Sequence, residues 1–74
     1  MTDYKDLEEM IGVLTTVIVI HEREEMFLRR SAKAFTNERA KVFFSEIAEE
    51  LRSHVKFLEA RREKLTEELK KLKA

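Results

Sequence analysis

Apolar residues recur every three or four positions along this chain, and the rhythm breaks only once. Leu7, Met10, Ile11, Leu14, Val17, Ile18, Leu28, Ala32 and Phe35 form a first run; Phe43, Phe44, Ile47, Leu51, Val55, Leu58, Leu65, Leu69 and Leu72 form a second. That spacing follows the 3.6-residue period of an α-helix and not the two-residue alternation of a strand. Between the runs lies "AFTNERA", where Thr36 and Asn37 are the only adjacent pair of good N-cap residues in the middle of the chain. The pattern therefore predicts an all-α hairpin in one domain: a first helix over about 3–35, capped by Thr2 or Asp3, a turn at 36–37, and a second helix over about 38–72. A connection this short makes the two helices antiparallel neighbours.

Composition agrees with helix and limits what the chain can do. One glycine, no proline and many Glu, Lys, Arg, Leu and Ala residues leave helix as the only secondary structure favoured over long stretches. A chain of 74 residues buries little apolar surface by itself, and the absence of cysteine removes disulfides and thiolate zinc sites as staples. A partner subunit or a His/carboxylate metal remains. Lysine plus arginine equals aspartate plus glutamate at 15 each, so there is no basic field to attract nucleic acid or an anionic membrane. The most apolar segment, "MIGVLTTVIVI", is about half of the ~20 residues that a bilayer span needs. The start, "MTDYKDLEEM", is acidic and polar where a signal peptide is basic and then apolar, which points to a cytoplasmic protein. No nucleophile with its base, glycine-rich phosphate loop or nucleic-acid motif is present, so any enzyme activity has to rest on a metal.

Two features go beyond a simple hairpin. Val13, Ile20, Phe27 and Ala34 recur at seven-residue intervals on a second face of the first helix, which one partner helix leaves uncovered. The economical solution is a homodimer forming a four-helix bundle, or a larger assembly of such dimers. In addition, His21 and Glu25 interrupt the main apolar arc of the first helix, and His54 and Glu50 project toward that of the second. A turn at Thr36–Asn37 sets His21 level with His54 and Glu25 level with Glu50. Burying several carboxylates together is costly unless they are paired or bind a cation. Imidazole and carboxylate on neighbouring helices are a donor set suited to iron, manganese or zinc, and two copies bring four histidines and four glutamates. A metal-free layer of Glu–His hydrogen bonds that holds the helices in register is the alternative reading. Glu22, at the rim of the arc, reads as solvated.

The stretch "FFSEIAEELRSHVKFLEA" resembles the rubrerythrin and ferritin-like family, whose second helix often reads F-x-x-L-A-x-E-E-x-x-H-x-x-x-L. Phe44, Ile47, Ala48, Glu50, His54 and Leu58 match in position or type, and "HEREEMFLRRSAKAF" looks like the family's first helix, so the resemblance covers roughly residues 18–60. It implies a four-helix bundle around a di-iron carboxylate centre, with ferroxidase- or peroxidase-like oxidation or iron handling as the associated activity, and a single hairpin has to dimerise to complete it. Two positions depart from the family. Leu51 stands where a Glu-x-x-His motif places its glutamate, and His21 stands where the first helix places its own. The expected metal set in this chain is therefore His21, Glu25, Glu50 and His54. The remaining segment, "EARREKLTEELKKLKA", reads as a solvated bundle end in which Arg61 and Arg62 belong to a charged surface.

Overall fold

The computed structural model describes residues 3–73. Two helices, α1 (Tyr4–Ala34) and α2 (Glu38–Lys73), fold back on one another as an antiparallel hairpin about 55 Å long and 17 × 14 Å in section. No strand occurs among the described residues. Each helix begins on a side-chain cap. The Asp3 carboxylate accepts from the Asp6 N–H at 2.9 Å, and the Asn37 side-chain oxygen accepts from the Ala40 N–H at 3.1 Å. Such caps satisfy backbone donors that a helix leaves orphaned in its first turn. Thr2, the other candidate cap of α1, lies outside the described residues. At the far end of α1 the backbone turns extended at Phe35, with φ −80° and ψ 142°, which stops the helix without a glycine.

Burial follows one stripe per helix. On α1 the buried and half-buried positions run Leu7, Ile11, Leu14, Ile18, His21, Glu25, Leu28, Ala32, in alternating steps of four and three. On α2 the same alternation links Phe44, Ala48, Leu51, Val55, Leu58, Arg62, Leu65 and Leu69. A repeat of four and three is the seam of a coiled coil, in which the facing side chains interlock. Ala48 and Val55 are completely buried and Leu7 is 1% exposed. At the turn end Phe35 stacks on Phe44 with ring centroids 5.4 Å apart. At the open end the Lys73 ammonium lies 5.3 Å above the Tyr4 ring. The β-branched run "TTVIVI" is carried within α1, where Thr15 and Thr16 donate their hydroxyls to the Ile11 and Gly12 carbonyls at 2.8 and 3.1 Å.

The seam leaves the second face of α1 open. Val13 and Phe27 are each 63% exposed, and Met10, Ile20 and Ala34 are exposed beside them. Phe43 and Phe57 of α2 are exposed at 55% and 52%. By helical projection these residues of both helices share one flank of the hairpin. An open groove of about 890 Å³ joins the helices there, with Met10 and Val13 on one side and Phe57, Ala60 and Arg61 on the other. The whole chain exposes 5869 Å², against about 4800 Å² expected for a compact monomer of this mass.

Ile18 is buried in the seam while Val42 is exposed on the outer side of α2. Ile18→Ala is expected to cost about 2–5 kcal/mol of unfolding free energy, and Val42→Ala less than about 0.5 kcal/mol. Urea unfolding monitored by circular dichroism measures both, and equal losses would contradict a core confined to the seam.

Candidate functional site

The sequence-derived candidates lie midway along the rod, and the fold separates them into two groups. His21 sits on the seam of α1 and His54 at the edge of α2, and the hairpin brings their rings to 5.2 Å between centroids at an interplanar angle of 32°. His21 is half-buried; its Nδ1 is buried without a hydrogen-bond partner and stands 3.5 Å from the Glu24 carboxylate one turn on. An imidazole nitrogen in that condition retains its donor or acceptor capacity. His54 is exposed, and its ring stacks on Phe57 at 6.1 Å, on the same flank as the open apolar face.

Glu25 belongs to a different arrangement. It is the one buried charged residue among those described, at 5% exposure. Arg29, one turn later on α1, donates Nε to Glu25 Oε2 at 2.8 Å, and Arg52 of α2 brings Nη2 to 2.8 Å from Oε1. The Arg52 contact is an ion pair without hydrogen-bond alignment, since Oε1 has no aligned donor. Arg29 also reaches across to Glu49 at 2.9 Å, so the chain of charges runs Arg52, Glu25, Arg29, Glu49 and ties α1 to α2 twice. The Arg29 hydrogen bond lowers the Glu25 pKa below its ordinary 4.5, burial pushes it up, and Arg52 lowers it further, with a net lowering. The guanidinium of Arg29 is in turn raised, first by its bond to Glu25. Both arginines stand on the flank opposite His54 and Phe57 by helical projection.

Glu50 is exposed, Glu22 is half-buried, and Leu51 occupies the seam. Among the described residues no three His, Asp or Glu side chains converge within one chain closely enough to hold a metal ion. Of the expected metal ligands the fold brings His21 and His54 together, and His21 Nδ1 has no hydrogen-bond partner. Glu25 does not fit, because both of its oxygens are occupied by guanidinium groups. The sequence reading missed Arg29 and Arg52. The first was detectable as an i, i+4 partner of Glu25; the second depends on how far a long side chain reaches across the seam. It also passed over Glu24, which lies i+3 from His21.

No family model, curated protein or solved structure matches the chain. No helix among the described residues is long and apolar enough to cross a membrane.

The Glu25 carboxyl predicts an acid-dependent stability. Its folded pKa is depressed, so the stabilisation is fully present above the unfolded-state value and is lost as pH falls through the folded value. Glu25→Gln should lower the melting temperature at pH 7, and the gap to the parent should close toward pH 3. A gap that stays constant between the two pH values would show that the charge contributes nothing.

Proposed function

We propose that the chain is a ferritin-like hairpin that pairs with a second copy to form a four-helix bundle, and that it binds a divalent metal in the middle of that bundle. The observation that carries the reading is the His21–His54 pair, adjacent at 5.2 Å, on an apolar flank that the hairpin leaves open. The exposed area supports the dimer. The excess of 5869 Å² over the compact-monomer value is of the order of 1100 Å², more than the ~800 Å² per partner of a standard interface. Dimerisation doubles the half-site, because His54 and its neighbours lie on the flank that becomes the interior.

In this reading His21 and His54 are the nitrogen ligands, and Glu24, one turn from His21, is the carboxylate in reach. Glu25 keeps its arginines and holds the two helices together beneath the site. Iron, manganese or zinc there supplies a Lewis acid, and iron adds a redox centre for oxidation or iron handling. The residues of the chain position the imidazoles, neutralise the nearby charge and exclude water through Phe57 and the apolar flank.

A second reading is favoured by one observation: Glu25 is neutralised by Arg29 and Arg52, as a structural charge would be. Under it the hairpin is a metal-free interaction protein whose central polar layer sets register. Metal analysis separates the two. Purified untagged protein, incubated with Fe(II), Mn(II) or Zn(II) and desalted, is expected to retain metal in fixed stoichiometry, to lose it in His54→Ala and to keep it in Glu25→Gln. Protein that retains none of the three metals would overturn the metal reading in favour of the second.

A further inference from the structure

The open flank carries enough asymmetry to say how two copies meet. A face-to-face pair of hairpins has two symmetric arrangements. In one the copies point the same way, and α1 lies on the partner's α2. In the other they point in opposite directions, turn end against open end, so that α1 lies on α1 and α2 on α2, and each residue meets one equally far beyond the two-fold axis. The sequence of the flank is close to self-complementary under the second operation. On α1, Val13 and Phe27 are equidistant from Ile20. On α2, Glu50 and Arg61 are equidistant from the point between Val55 and Lys56. These two centres lie at one level of the rod, as the His21–His54 contact and the Glu25–Arg52 contact locate it.

Shape and charge both follow that symmetry. The protruding phenylalanines, Phe27 and Phe43, stand on the turn-end half of the flank, whereas the groove bordered by Met10, Val13 and Phe57 lies on the open-end half. Reversal of one copy drops Phe27 into the partner's groove. It also sets acidic Glu50 against basic Arg61. Copies pointing the same way put groove on groove.

We propose that the hairpin dimerises head to tail through this flank, with its two-fold axis passing at Ile20 and between the two His54 side chains. The inference rests on the dimer proposed above and specifies its geometry. Glu50 then meets the partner's Arg61 on either side of the axis, and the two His21–His54 pairs adjoin at the centre. Arg61, which lies 4.9 Å over the Phe57 ring, is held where its guanidinium can meet the approaching carboxylate.

Two measurements test it on the full chain, which contains no native cysteine. Ile20→Cys should oxidise to a disulfide-linked dimer with itself. Val13→Cys and Phe27→Cys should each fail to do so alone and should link when mixed. In sedimentation equilibrium Arg61→Glu should weaken dimerisation by about tenfold, since an attractive pair becomes repulsive at two symmetric places, and adding Glu50→Arg to it should restore the parent affinity. Circular dichroism confirms that each variant is helical. A dimer in which Ile20→Cys does not self-link and the charge swap does not recover would overturn the head-to-tail arrangement while leaving the dimer standing. A chain that sediments as a monomer at all concentrations would overturn both.

Discussion

A helix with one neighbour can bury only one stripe of its surface. Everything notable about this chain follows from that constraint, because its helices carry more apolar residues than a single stripe accommodates. The seam of alternating four- and three-residue steps takes Leu7, Ile18, Ala48 and Val55 out of water, and interlocking side chains give it a definite register. Whatever lies a quarter-turn or more away stays wet in the isolated hairpin. Val13, Ile20, Phe27, Phe43 and Phe57 are in that position. The hairpin is thus complete as a pairing of two helices and leaves an apolar face open, which is the physical ground on which a dimer is proposed.

The central part of the rod shows how burial sorts polar residues by what they can reach. Glu25 enters the seam and is tolerated because two guanidinium groups meet it there; a lone carboxylate in the same place would be driven to protonate. His21 shares the seam with Glu25, while His54 stands at the flank beside Phe57. Two functions that the sequence placed in a single layer are therefore divided between opposite sides of the hairpin. One side fastens the helices and the other faces the open apolar surface.

The two helices and the turn were legible because the signals are local: period, caps at Asp3 and Asn37, and the lack of glycine and proline. The adjacency of His21 and His54 was legible as well, since a short turn fixes which residues lie level. Glu25 and Glu50 were harder. Level placement says nothing about rotation around each helix, and Glu50 sits far enough round α2 to be exposed. Nor does a helical projection show the reach of Arg52, whose long side chain claims a carboxylate from the opposite helix. Side chains of this length decide contacts that backbone geometry leaves undetermined.

The stacking of Lys73 over Tyr4 means that the outer ends of the two helices stand side by side. The order in which the chain visits the helices is then incidental to the seam. A chain opened at Thr36–Asn37 and joined by a short loop across the Tyr4–Lys73 end would present the same stripes to each other in the same register, with only the order of the helices exchanged. Such a permuted hairpin would still set Thr15 beside Arg62 and His21 beside His54, since those neighbours are chosen by the side chains and the three-residue connection serves only to keep them on one polypeptide.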